Sequence, residues 1–218
     1  MKPILFNTEM VKALLDGRKT VTRRVVKPKC KHNFVSTGID GEPAECRMID
    51  IETQEIVRHV YPPYQPGDIL YVRETFYKHN CAENECIMKE YSDCNGCTHT
   101  NNGECYSYKA SHENDLNVKW SPSLHMPREA ARIFLRVTDV RVERLQDITE
   151  EQAIAEGVRI GLGGEPFFSC KDAFVRLWDS TLPKNPNKFK CPENSLTTNP
   201  FVWVIEFEKI SKEDAYNA

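Results

Sequence analysis

The chain contains no long apolar run. Among its 218 residues, the longest apolar stretches, such as Phe201 to Ile205, are far shorter than the roughly 20 residues that a membrane-spanning helix needs. The N-terminal segment includes Asn7 and Glu9, so it also lacks the apolar centre of a secretory signal peptide. We therefore expect a cytoplasmic protein that does not cross a membrane.

The chain also lacks an excess of positive charge, with 29 Lys and Arg against 32 Asp and Glu. Its formal net charge of -3 excludes sequence-blind binding to a polyanion that is driven by global charge. Locally, however, the segment from Arg18 to Lys31 contains seven basic residues and no acidic one. Such a segment is either a nucleic-acid contact or an ordinary solvated charged face.

The chain also does not have an even number of cysteines, since it contains nine. Without a secretory signal, an odd and unevenly clustered set favours reduced thiols or metal ligands over a disulfide framework. Five of the nine lie in residues 77–105, which are rich in Asn, Asp and Glu and almost free of aliphatic residues. We interpret this segment as an insertion outside the core.

The cysteines of the insertion follow the pattern C-x4-C-x7-C-x2-C-x7-C, at Cys81, Cys86, Cys94, Cys97 and Cys105. Four thiolates satisfy a tetrahedral structural zinc ion, so four of these five are candidate ligands. His79 or His99 could replace one thiol. A metal would also explain how a segment without apolar residues becomes ordered. A flexible reduced loop and a set of disulfides are the alternatives.

Caps and apolar periodicity predict three short helices. The first is expected to have Thr8 as its N-cap and to end at Gly17. The second starts with a capping box of Thr149 and Gln152, and the third follows Ser169.

Alternating or β-branched stretches predict strands at 19–26, 69–74, 106–110, 133–142 and 201–208. We expect residues 27–60 to form a polar loop with weak strands. Together, these helices and strands predict an α+β protein that is mostly antiparallel β structure with long loops. A small open barrel is the natural architecture for such a protein.

The segment from Gly17 to Arg24 is unusually dense in polar groups. A lysine, two threonines and three arginines follow directly on the first predicted helix. An edge strand protected by charge would give the same composition.

These residues nevertheless resemble a known family, the ASCH domains of the PUA-like superfamily. The resemblance rests on four segments: Gly17 to Arg24, Pro66 to Glu74, Leu145 to Gly157 and Trp203 to Phe207. A further run, His125 to Arg132 continuing into Arg136-Val137-Thr138, is similar to longer ASCH-containing proteins of bacteriophages and prophages.

The match covers the chain outside residues 30–60 and 77–105. It implies a single domain over 1–210, a PUA-like pseudo-barrel, with 211–218 as a C-terminal tail.

The resemblance also implies a function. Small bacterial members of the family are amidohydrolases that remove acetate from N4-acetylcytidine with a lysine, a threonine and a glutamate. In this sequence those residues fall on Lys19, Thr22 and Glu156. The expected partner is RNA or a modified nucleoside, and the expected contacts to it are Arg18, Thr20, Arg23, Arg24 and Glu74.

The chemistry requires such a set. A threonine hydroxyl is a weak nucleophile until a base accepts its proton, and a lysine whose pKa is lowered by burial can be that base. A carboxylate can orient the lysine or protonate the leaving amine. In a regular strand, however, Lys19 and Thr22 face opposite sides, so they converge only if the chain bends.

Two other functions fit the same sequence. In one, the domain binds RNA without catalysing a reaction, and aromatic residues such as Tyr71, Trp120 or Trp203 stack on bases. In the other, the chain is a phage-encoded interaction protein whose metal loop docks a partner.

Overall fold

The structure is a computed structural model. It describes residues 1–26, 33–37, 45–49, 56–80, 98–99, 104–112, 118–159, 169–181 and 199–218.

Eleven strands lie in the described residues. They are β1 (Lys2–Leu5), β2 (Val21–Val25), β3 (Asn33–Thr37), β4 (Glu45–Ile49), β5 (Ile56–Val60), β6 (Ile69–Arg73), β7 (Phe76–Asn80), β8 (Thr98–His99), β9 (Glu104–Tyr108), β10 (Phe134–Arg144) and β11 (Phe201–Ile210).

Four α-helices accompany them. They are α1 (Thr8–Leu15), α2 (Glu150–Ala155), α3 (Cys170–Thr181) and α4 (Lys212–Asn217). No helix in the described part of the chain is both long enough and apolar enough to cross a membrane.

The chain divides into two compact units. The first unit comprises Met1–Gly17, Asp68–Arg136 and Lys209–Ala218, and the second comprises Arg18–Gly67 and Val137–Glu208. Strands β10 and β11 therefore contribute residues to both units.

In the first unit, β1 runs parallel to β6, and β6 pairs antiparallel with the first residues of β10. A separate three-stranded antiparallel sheet has the order β7-β9-β8. The core of this unit is built from aromatic and aliphatic side chains that include Phe76, Tyr106, Tyr108, Met126 and Phe134.

In the second unit, β11 lies between β10 and β2 and pairs antiparallel with β2. A second sheet has the order β3-β4-β5. Helices α2 and α3 pack on a core that includes Val21, Ile148, Phe174, Trp178 and Val204. This packing positions the N-terminal part of β2 beside the end of α2.

The expected mixture of helices and mostly antiparallel strands is confirmed, and so is the capping box of α2. None of the sheets formed by the described strands closes on itself. The described strands β3, β4 and β5 pair with each other, and the parallel pairing of β1 with β6 was not expected.

Two local predictions differ from the structure. The cap of α1 is Asn7, whose side-chain oxygen accepts from the Met10 amide at 2.9 Å, and Thr8 is already helical. The C-terminal tail contains α4, because Ser211 caps it and Ala215 is buried in the first unit's core. A helix this short depends on such packing more than on propensity.

Candidate functional site

The ammonium group of Lys19 lies inside the second unit. Lys19 is 2% exposed, and its Nζ donates to three oxygens. These are Oε2 of Glu156 at 2.7 Å, the carbonyl of Glu156 at 2.9 Å and the carbonyl of Val21 at 2.8 Å. The structure thus brings Lys19 and Glu156 together, as the resemblance implies.

Local geometry explains this meeting. Glu156 is the C-cap of α2, where carbonyl groups lack partners within the helix, so a cation is favoured there. On the other side, Gly17 has a positive φ of 72°, and the chain leaves α1 through it before β2 begins at Val21. Lys19 therefore precedes the regular strand and is not bound by its alternation.

The environment lowers the pKa of Lys19 from its ordinary value. Burial is the largest cause, since it disfavours the charged amine. Glu156 opposes this effect, while the neighbouring cations Arg24 and Arg23 add to it. A base that must accept a proton near neutral pH needs a shift in this direction.

Arg23 is also buried, and it makes a second contact to the same carboxylate. Its Nη1 lies 3.3 Å from Oε1 of Glu156. Its Nη2 donates to Oε1 of Gln152 at 2.8 Å and to Oε2 of Glu143 at 3.1 Å. The guanidinium carbon lies 5.8 Å from the centre of the Phe174 ring. Each oxygen of Glu156 thus accepts from a different cation.

Thr22 is buried in β2 and pairs with Ile205 of β11. Strand alternation places it on the face opposite Arg23. The Lys19 ammonium donates to the carbonyl oxygen of Val21. Across a trans peptide, that oxygen is about 3 Å from the Cα of Thr22. The Nζ atom of Lys19 therefore lies within about 6 Å of the Thr22 Cα. The Lys19 ammonium therefore reaches the backbone next to Thr22, while the Thr22 side chain lies on the face of β2 opposite Arg23.

In residues 18–26, the part of the basic segment that the structure describes, the basic side chains do not form one exposed surface. Arg18 donates to the carbonyl of Gly157 at 2.5 Å. Burial lowers the pKa of Arg24, while Tyr64 and Glu156 raise it. Thr20 is exposed, and its backbone bonds to Ala155 and Phe207. Lys27, Lys29 and Lys31 lie outside the described residues.

Glu74, the acidic residue among the expected contacts to RNA or a nucleoside, belongs to the first unit and is bound by an arginine there. Nε and Nη2 of Arg132 donate to its two oxygens at 2.8 and 2.9 Å. Arg132 also donates to Ser111 at 2.7 Å and lies 4.0 Å from the centre of the Tyr108 ring. Burial raises the pKa of Glu74, and Arg132 opposes that effect.

Sequence reasoning missed the partners that complete both clusters. Gln152 was recognised only as half of a capping box, yet its Oε1 accepts from both Thr149 and Arg23. Glu143 lies within β10 and Arg132 in the loop before β10, and no sequence pattern distinguishes either residue from other charged residues. Only their tertiary neighbours identify them.

Of the cysteines proposed as zinc ligands, Cys105 is buried in β9. Cys81, Cys86, Cys94 and Cys97 lie outside the described residues. Within the described ranges, no three His, Cys, Asp or Glu side chains converge as a metal site.

The candidate stacking aromatics differ in exposure. Trp203 is buried in β11, so its ring is not available to a base. Tyr71 and Trp120 are partly exposed.

No protein-family model, no curated protein and no solved structure matches this chain. Its function is therefore argued from the geometry of the buried cluster together with the sequence resemblance.

Proposed function

We propose that this protein is an amidohydrolase with a PUA-like ASCH domain that removes the acyl group from an N4-acylated cytidine. Thr22 is the nucleophile, Lys19 is the base and Glu156 orients Lys19. The observation that supports this most strongly is the buried Lys19 ammonium, 2.7 Å from Glu156 and in contact with the peptide that leads into Thr22.

A lysine acts as a base only in its neutral form. Burial of Lys19 and the nearby charges of Arg23 and Arg24 favour that form, while Glu156 limits the shift. A neutral amine donates two hydrogen bonds and has one lone pair, so one of the three present contacts of Nζ is given up in the basic state. The lone pair then accepts the hydroxyl proton.

The reaction has two halves. The Thr22 hydroxyl oxygen attacks the acyl carbonyl carbon, and its proton passes to the neutral amine of Lys19. As the bond between that carbon and N4 breaks, the Lys19 ammonium returns the proton to N4, which leaves as the amine of cytidine. Water then attacks the Thr22 ester, which releases the carboxylic acid and restores the hydroxyl.

Glu156 orients the base and does not supply the proton. Its two oxygens accept from Lys19 and Arg23, so a proton on either oxygen would displace a hydrogen bond from a cation. Lys19 is therefore the group that both accepts and returns the proton.

Assaying cytidine release from N4-acetylcytidine by chromatography tests this function. Wild-type protein should release cytidine, Lys19→Met and Thr22→Val should not, and the exposed-site controls Lys209→Met and Thr138→Val should match the wild type. No release by folded wild-type protein at high concentration refutes the proposal.

A second candidate is an RNA-binding module without turnover. The absence of turnover is the part of this candidate that the structure favours, because the three protein acceptors around Lys19 are typical of a structural ion pair. Its test is the salt dependence of single-stranded RNA binding. Each phosphate contact that is lost flattens the slope by roughly 0.7, and buried Arg23 should contribute nothing to that slope.

A further inference from the structure

Glu143, near the end of β10, lies between two arginines of the second unit. Its Oε2 accepts from Nη2 of Arg23 at 3.1 Å, and its Oε1 accepts from Nε of Arg141 at 2.7 Å. The side-chain amide of Gln152 also donates to Oε1, at 3.3 Å. The two oxygens of Glu143 are thus divided, because Arg141 and Gln152 share one of them and Arg23 uses the other.

The orientation of the Arg23 guanidinium depends on this contact. The Arg23 side chain is fully buried, and its Nε has no hydrogen-bond partner in the part of the chain that the structure describes. Its Nη2 is bound by Glu143 and Gln152, and its Nη1 is directed at Oε1 of Glu156. Phe174 of α3 lies against the guanidinium but supplies no charge. Because the guanidinium is a rigid plane, fixing Nη2 also fixes how closely Nη1 approaches Glu156.

Glu156 is shared unequally between two cations. Its Oε2 lies 2.7 Å from Nζ of Lys19, whereas its Oε1 lies 3.3 Å from Nη1 of Arg23. Hydrogen bonds between charged groups are usually about 2.7–2.9 Å long, so the contact with Arg23 is the longer and weaker one. Glu143 explains the difference, because it is a second carboxylate bound to Arg23. Lys19 consequently has the closer contact with Glu156.

We propose that Glu143 is a positioning residue that limits the contact between Arg23 and Glu156. It thereby leaves the Glu156 carboxylate to Lys19. The consequence for turnover rests on the proposed function, in which Lys19 is the base. Glu143 acts through Arg23, since the groups that influence the pKa of Lys19 directly are Glu156, Arg24 and Arg23.

Glu143→Gln removes the charge and keeps the size of the side chain. Among the described partners of Arg23, Glu156 is then the remaining carboxylate, so the Lys19 ammonium loses part of its counter-charge to Arg23. The pKa of Lys19 should therefore fall further. The acid side of the pH profile of turnover should move to lower pH, and turnover there should exceed that of the wild type. A variant that only loosened the fold would lower the rate and leave the profile in place.

The titration of Lys19 is measured directly by NMR on protein with ¹³C-labelled lysine side chains. Lys19→Arg identifies the Lys19 signal by its absence. The midpoint of this titration should be lower in Glu143→Gln than in the wild type. Glu206→Gln is the matched control and should titrate as the wild type does. Glu206 also binds Arg141, but within the described residues it forms no hydrogen bond or ion pair with Arg23.

A double variant tests whether Glu143 acts through Arg23. In the Arg23→Met background, Glu143→Gln should leave the midpoint of Lys19 where Arg23→Met alone puts it, because coupled residues are not additive. An equal shift in the presence and absence of Arg23 would overturn the proposal, since it would show that Glu143 acts on Lys19 directly.

The NMR titration needs no substrate, so it separates this proposal from the proposed function. A lower midpoint in Glu143→Gln supports the positioning role even if no variant releases cytidine, which would refute the hydrolase alone. An unchanged or higher midpoint overturns the positioning role even if the wild type releases cytidine. If Glu143→Gln does not fold, Glu143→Asp, which reaches less far toward Arg23, should lower the midpoint by a smaller amount, and an unchanged midpoint there overturns the role as well.

Discussion

The Nζ atom of Lys19 lies 2.7 Å from Oε2 of Glu156, and the two side chains are 0% and 3% exposed. Such a pair is costly to desolvate, and removal of one partner leaves the other charge buried without compensation. The pair is completed by Arg23, which contacts the second oxygen of Glu156. Lys19, Arg23 and Glu156 thus join the start of β2 to the end of α2. Three of the predictions below concern these residues, and the fourth concerns Glu74 and Arg132 in the first unit.

The first prediction concerns the nucleophile and the base. Thr22→Val and Lys19→Met should each lower cytidine release by roughly 100-fold or more, since each removes a group that takes part in proton transfer or attack. The double variant should be scarcely slower than either single one, because residues that act as a unit are not additive. Rates that multiply in the double variant would contradict a shared step.

Lys19→Arg serves as the charge-preserving control for that prediction. Arginine keeps the positive charge beside Glu156 but cannot give up its proton near neutral pH. It should therefore retain the fold by circular dichroism and still fail to release cytidine.

The second prediction is the pH dependence that Arg23 imposes. Its charge contributes to lowering the pKa of Lys19, so Arg23→Met should raise that pKa. The groups that act on Lys19 in the second unit are Glu156, Arg24 and Arg23 itself. The rise of turnover with pH should accordingly move to higher pH in Arg23→Met.

Turnover measured across pH for wild type, Arg23→Met and Arg23→Lys checks this. Arg23→Lys should return the profile toward that of the wild type, because it restores the charge. Arg141→Met, which removes a partly exposed arginine bound to Glu143, is the matched control. A lower rate with an unshifted profile would mean that Arg23 has a structural role alone.

The third prediction links Lys19 to stability. Its folded-state pKa lies below the ordinary value of 10.5, so between those two values the unfolded chain binds more protons than the folded one. The contribution of Lys19 to the free energy of unfolding therefore rises with pH between those two pKa values.

Urea unfolding of wild type and Lys19→Met checks the sign. The free energy of unfolding of the wild type, relative to Lys19→Met, should be larger at about pH 9.5 than at about pH 7. The opposite trend would show that Glu156 outweighs burial and that the folded state holds the proton more tightly.

The fourth prediction concerns Glu74 and Arg132 in the first unit. Glu74→Ala leaves the Arg132 guanidinium without its carboxylate, so it should destabilise the protein by about 3–5 kcal/mol. Glu129→Ala, at an exposed position, should change stability by less than about 0.5 kcal/mol. Thermal or urea unfolding measures both, and equal effects would exclude a buried ion pair.

Features that depend on near neighbours in the chain could be predicted from sequence. The capping box of Thr149 and Gln152 spans three residues, and the alternating strand of β11 needs only its own pattern. The helix α4 was not predicted, although Ser211 caps it locally, because so short a helix depends on packing, here the burial of Ala215.

The sequence by itself determined which residue types were present for the chemistry: Lys19 and Thr22 three positions apart, and a glutamate at the end of a capped helix. Only the tertiary structure decided how they are paired. Lys19 donates to Glu156, which lies 137 positions further along the chain, and Arg23 donates to the same carboxylate. Arg132 donates to Glu74. The reason is physical, because a buried charge must find a partner of opposite sign, and the packing of β2 against α2 determines which partner is within reach.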